Sequence, residues 1–141
     1  MTAIDFYILG QAGARERFAC RLAEKCYKLG HRVHIHTSDA GQAQRMDELL
    51  WTFRDGSFVP HDLQHAVDED APPVVIGADI EPLPDRDLLL NLAPEVPAFA
   101  ARFARVADFV DGDEAVLSAG RERWKVYLEQ GHTVRDHKIE A

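Results

Sequence analysis

Arg121, Trp124 and Lys125 are separated by three positions and one, so on a helix Arg121 lies a turn from both of the others and the three share one face. Such a face presents a guanidinium, an indole and an ammonium together, with Leu117 and Leu128 about one turn beyond on either side. A guanidinium can take a terminal carboxylate through two parallel charge-assisted hydrogen bonds, each worth about 1.5 to 3 kcal/mol when partly desolvated. An adjoining apolar wall could then receive the last side chain of an acidic peptide. The other reading of the same spacing is a core tryptophan flanked by two solvated cations. A second group lies in Trp51-Thr-Phe-Arg-Asp-Gly-Ser-Phe-Val-Pro60, where Trp51, Phe53 and Phe58 crowd an irregular stretch. They either fold back onto the core or stay exposed, as the aromatic anchors that concentrate binding energy at protein interfaces.

Patterns for catalysis or cofactor binding are thinner. Gly10-x-x-Gly13 follows a β-like run, but a dinucleotide fingerprint needs G-x-G-x-x-G, and the sequence has no G-x-x-x-x-G-K-[ST] phosphate loop. A nucleotide-binding enzyme or sensor built on the Gly10–Gly13 turn is the alternative function. Asp39 stands where a ribose-binding acid would be, and helix capping accounts for it equally well. His34 and His36 alternate on one side of a strand, and His61 and His65 would share a face if that segment were helical. Neither pair has a third ligand at a recognisable spacing, so no metal is expected. Asp85 and Asp87 flank Arg86, which favours a solvated turn over an acid–base pair. With no nucleophile in a G-x-S-x-G setting, no catalytic residue and no cofactor are expected.

The elements that would hold these residues follow from periodicity and punctuation. Residues 3 to 9 read as a strand. A helix from about Ala14 to Leu29 follows, its apolar stripe Phe18, Leu22, Ala23, Cys26 and Leu29 ended by Gly30. His31 to Thr37 reads as a second strand, and Ser38-Asp39 caps a helix burying Ala43, Met46, Leu49 and Leu50. Trp51 to Pro73 has no clear period and carries the acidic run Asp68-Glu69-Asp70. It reads as a functional surface loop. Strands are expected at Pro73 to Gly77 and Arg86 to Leu92, then a helix from Val96 to Arg102, a strand from Arg105 to Val110, and a long helix from Asp113 to Gln130 stopped by Gly131. Thr133 to Ile139 could add an extended segment. Strand, helix, strand, helix with short connections favours parallel pairing through right-handed crossovers. The expectation is therefore one α/β domain over residues 1–141, Rossmann-like, with a mostly parallel sheet and helices on both faces.

Composition agrees with that class. At 46% hydrophobic and 28% charged residues the chain matches an ordinary globular protein rather than a disordered or fibrous one. No apolar run nears the roughly 20 residues of a membrane helix, and the N-terminus lacks a signal-peptide pattern, so a cytoplasmic protein with no membrane contact is expected. Cys20 and Cys26 sit six apart on one helix, point in different directions and read as reduced, buried thiols. The net charge of −8 disfavours direct binding to DNA, which lysine and arginine drive by displacing counterions. It is uneven: +3 over residues 1–38, −9 over 39–87, −3 over 88–120 and +1 over 121–141. An acidic partner would dock on either end of the chain, away from the middle.

Several runs together resemble one family. Phe6-Tyr7-Ile8-Leu9, then Leu49-Leu50-Trp51 leading to Ser57-Phe58-Val59-Pro60-His61, the strand Asp87 to Leu92, Asp108-Phe109-Val110, and Gly120-Arg121-Glu122-Arg123-Trp124-Lys125-Val126-Tyr127 occur in the order of the chi subunit of bacterial DNA polymerase III. The resemblance covers nearly the whole chain, and Ser57 to His61 and Arg121 to Tyr127 are its most specific parts. It implies a Rossmann-like domain without nucleotide chemistry, an accessory subunit with no active site of its own in a holoenzyme that is a DNA-directed DNA polymerase. It implies a site for the acidic, phenylalanine-ending tail of single-stranded DNA-binding protein at Arg121, Trp124 and Lys125, with Val110 and Val134 as apolar wall. It also implies a surface at Trp51 and Phe58 for the psi subunit, which attaches chi to the clamp loader, a surface for which a helicase competes in some bacteria. Leu117 stands where the better-known relatives have a lysine, and Trp124 replaces a tyrosine. The lost charge implies a weaker tail site or a shifted salt dependence.

Overall fold

The structure, a computed structural model, describes residues 2–139. Seven strands form one sheet: β1 (Ala3–Leu9), β2 (Val33–Thr37), β3 (His61–Leu63), β4 (Val74–Ala78), β5 (Leu88–Asn91), β6 (Arg105–Val110) and β7 (Thr133–Ile139). Their order is β3-β4-β2-β5-β6-β1-β7, and every pairing is parallel. The interior strands β2 and β5 are buried along their whole length. Leu88 to Leu90 of β5 form the kind of apolar run a parallel sheet buries on both faces, whereas β2 alternates Val33 and Ile35 with the buried His34 and His36. The sheet is thus α/β as the spacing of elements predicts, and wholly rather than mostly parallel.

Three helices cover it: α1 (Arg15–Lys28), α2 (Ala40–Thr52) and α3 (Glu114–Glu129). Adjacent residues of β1 show the two layers. Tyr7 packs on Phe18 of α1 with ring centroids 5.3 Å apart, while Phe6 packs on Trp124 of α3 at 5.1 Å. One core cluster gathers α1, α2 and the face of Val33, Ile35 and Phe109. The other gathers Ile4, Phe6, Val106 and Tyr127 beneath α3. Asp39 caps α2 by accepting from the Gln42 N–H at 2.8 Å, and Asp113 caps α3 by accepting from Val116 N–H at 3.1 Å. Each cap satisfies a donor the helix cannot.

Two stretches differ from expectation, and the extended segment expected at Thr133 to Ile139 forms. Residues 96–102 are not a helix: Pro97 opens a turn and only a single 3-10 turn forms, at Ala100–Arg102. Pro94 and Pro97 lack backbone donors, and Phe99 is held edge-on to His34 and His36 at 5.9 and 5.1 Å. The region 51–73 contains a three-residue edge strand at His61, so His61 and His65 do not share a helical face; His65 sits in a 3-10 turn. Thr133 to Ile139 is a full edge strand, pairing with all seven residues of β1. Among the described residues no helix is long and apolar enough to cross a membrane.

Candidate functional site

The inner face of α3 is fastened to the sheet by a buried ion pair. Arg123 donates to both carboxylate oxygens of Asp108 on β6, with Nε at 3.0 and 3.1 Å and Nη2 at 2.9 Å from Oδ1. The same carboxylate accepts from the Tyr127 hydroxyl at 2.8 Å, Asn91 Nδ2 at 3.2 Å and the Phe109 N–H at 2.7 Å. The remaining guanidinium donors reach the carbonyls of Pro94 and Phe109. A charge pair this dry is tolerable only because nearly every donor and acceptor is used. Burial, then the adjacent Asp108 charge, pushes the Tyr127 phenol well above its ordinary value. Sequence reading missed Arg123 as a functional support, although its spacing to Gly120 and Tyr127 places it on the core side of α3.

With that face fixed, the opposite edge of α3 forms a groove of about 430 Å³ against β1 and β6. Phe6, Ile8, Val110, Leu117 and Trp124 supply apolar walls, and Arg121 and Lys125 stand at its rim. The floor exists because residue 120 is glycine: its backbone comes so near Val110 that no side chain fits between them. Arg121 is exposed and has no ion-pair partner among the described residues, and Lys125 has only the exposed Glu122 at 3.4 Å. Trp124 is half-buried, its ring tilted against Phe6, and both side chains line the groove. So Arg121, Trp124, Lys125 and Leu117 come together on the spacing of α3, and Val110, which only the family resemblance placed there, lines the same groove. Val134 packs behind, against the same core cluster, and does not line the groove. Leu128 is exposed further along α3. Phe6 and Ile8 were missed, since only the fold brings β1 to this wall.

The second aromatic group divides. Phe53 is 1% exposed and joins the core, while Trp51 and Phe58 remain 55% and 61% exposed with ring centroids 5.8 Å apart. His61 braces Trp51 at 4.7 Å, its own ring nitrogens facing the carbonyls of Val59 at 2.6 Å and Asp47 at 3.0 Å. The turn carrying Phe58 is tied to α1 through the buried Glu24, which accepts from Ser57 and from Arg54 at 2.5 Å. The Ser57 hydrogen bond, with Arg54, holds the Glu24 carboxyl below its usual value.

The other candidates are occupied internally. The Gly13 N–H, which a phosphate would need, donates to the Asp111 carboxylate at 3.0 Å, and a Cβ at Gly112 would lie 2.7 Å from the Gly10 carbonyl oxygen. An internal anion therefore fills the turn where a ligand's anion would sit. Asp85 is bound by Arg86 and Arg32, and Asp87 accepts from the Arg32 N–H. Among the described residues no three His, Cys, Asp or Glu gather as metal ligands. His34 and His36 are buried as a pair, and desolvation, aided by neighbouring positive charge, takes His34 from 6.5 to about 3. Burial likewise pushes the Cys20 thiol up to about 12.

Residues 1–135 match the family model of the DNA polymerase III chi subunit, HolC. The chain is 42% identical over 142 residues to DNA polymerase III subunit chi of Pseudomonas aeruginosa, covering 99% of this chain and 98% of that protein. It is 36% identical to that of Haemophilus influenzae, covering 96% of each, and 35% identical to that of Escherichia coli, covering 93% and 94%. Among solved structures, Mss116p DEAD-box helicase domain 2 bound to an RNA duplex superposes with a TM-score of 0.63 at 12% identity, over 97% of this chain and 64% of that one. That likeness concerns the fold alone.

Proposed function

The chain belongs to the DNA polymerase III chi subunit family, and from that premise we propose that it is a non-catalytic adaptor linking the clamp loader to single-stranded DNA-binding protein. In this reading the groove beneath α3 receives the acidic C-terminal tail of that protein. Arg121 pairs with the terminal carboxylate, Lys125 faces the acidic residues before it, and the walls of Phe6, Val110 and Trp124 take the last apolar side chain. The observation that carries the reading is the pairing of an apolar groove of about 430 Å³ with a rim guanidinium that no described residue neutralises. Trp51 and Phe58 form the docking point for the psi subunit, or for a helicase that competes with it.

The task is tethering. One tail binds weakly, but DNA coated with the binding protein offers several tails, and attachment through psi keeps the chain near them. Linkage of this kind raises effective concentration without any new contact. Titration calorimetry with a peptide of the tail's acidic, phenylalanine-ending type tests the assignment. Binding is expected in the micromolar range, about −8 kcal/mol or weaker, with most of it lost in Arg121→Ala. Unchanged binding in that variant removes the assigned site.

A further inference from the structure

In a protein with 24 acidic and 16 basic residues, most cations have a carboxylate within reach. Those without one within 4.0 Å, among the described residues, are Arg17, Arg21, Lys25, Arg121 and Lys138. Arg121 belongs to the groove already described. Arg17, Arg21 and Lys25 are different: they follow one another at four-residue steps along α1, all exposed, in a single row. Successive members of such a row stand one helical turn apart, about 6 Å.

The Arg17 and Arg21 end of this row reaches the C-terminal end of α2, the helix that carries Trp51. Arg17 donates to the carbonyl of Phe53 at the end of α2, and Arg17, Arg21, Thr52 and Arg54 line one groove of about 560 Å³. Thr52 adjoins Trp51, and Arg54 leads into the turn that presents Phe58. Arg54 itself is spent on Glu24, whereas Arg17, Arg21 and Lys25 have no ion pair among the described residues. Unneutralised cations repel one another at this spacing, so the row costs the isolated chain stability unless a partner supplies carboxylates.

We infer that the aromatic patch and the α1 row form one docking surface, whose occupant is an acidic protein segment that sets an apolar side chain on Trp51 and Phe58 and its carboxylates along Arg17, Arg21 and Lys25. The inference rests on the proposed psi surface and adds the charge of what binds there. A protein segment fits better than nucleic acid because carboxylates border the same surface: Asp55 lines the groove, and Glu48 lies one turn before Thr52 on α2. Those charges would repel a phosphate backbone but leave room for a segment whose acids are confined to one side.

The test is calorimetric titration of the host's psi subunit into the full chain, Trp51→Ala, and the double variant Arg17→Glu/Arg21→Glu, with short oligo(dT) as a second probe. The inference expects the charge reversal to weaken psi binding at least about tenfold, and the unmodified chain to lose affinity as salt rises. Loss of binding in Trp51→Ala with full binding in the double variant overturns the inference and leaves the psi surface standing. Full binding in Trp51→Ala overturns both. Oligo(dT) binding that the double variant abolishes assigns the row to nucleic acid and overturns the acidic segment.

Discussion

Val110 Cγ1 occupies the space where a side chain on residue 120 would begin, for a Cβ built there would lie 2.2 Å away. The contact sets how closely α3 approaches β6 and therefore how deep the groove beside Trp124 is.

Gly120→Ala should destabilise the chain by about 1 to 3 kcal/mol through overpacking, and shift α3 outward so that the tail peptide binds more weakly. Gly120→Ala combined with Val110→Ala should recover much of the folding loss, because the second change removes the methyl that is struck. Urea unfolding of the single and double variants measures the coupling.

Arg123→Ala leaves the Asp108 carboxylate buried and unpaired, and should cost about 3 to 5 kcal/mol. Replacing the pair together, Asp108→Asn with Arg123→Met, should cost less than the single change. The same unfolding measurement distinguishes these outcomes, and equal losses would mean that the ion pair is not what fastens α3.

Leu117→Lys adds a cation to the groove's wall. The gain in tail affinity should be no more than about fivefold, ~1 kcal/mol, because the position is half exposed. It should vanish near 1 M salt, where the screening length is about 3 Å. Calorimetry at two salt concentrations reads both effects.

His34 gives the chain an acid sensitivity of known sign. Its imidazole is lowered from 6.5 to about 3 by burial and then by His36, Arg86 and Arg102, so the unfolded chain takes up a proton that the native chain refuses. Stability is complete above the ordinary value and lost as pH falls toward the depressed one, by about 2 kcal/mol between pH 6.5 and 5. Urea midpoints across that range should fall more steeply for the unmodified chain than for His34→Leu.

What the sequence made legible was local. The i, i+3, i+4 spacing of Arg121, Trp124 and Lys125 needs only a helix to bring them together, and buried parallel strands announce themselves as apolar runs at β4 and β5. Phe6 and Ile8 were illegible as groove walls because β1 is more than a hundred residues from α3 in the chain. Helical composition around Ala98, Ala100 and Ala101 concealed a turn, since the two prolines and the packing of Phe99 over the histidines outweigh propensity. Arg123 was hidden by its neighbours: two cations and a tryptophan on the outer face drew attention from the one arginine pointing inward.

The first strand is paired on both sides, and both of its partners, β6 and β7, come from the last third of the chain. On a ribosome adding about 5 to 20 residues per second, the apolar Ile4-Asp-Phe-Tyr-Ile run must wait unpaired for roughly 5 to 20 s until residue 105 emerges. Non-local pairing of this kind also slows folding after release. A nascent chain of this protein is therefore most vulnerable to chaperone capture or misassembly at its own beginning, and a prematurely ended message would leave two strands' worth of exposed edge rather than a shorter functional domain.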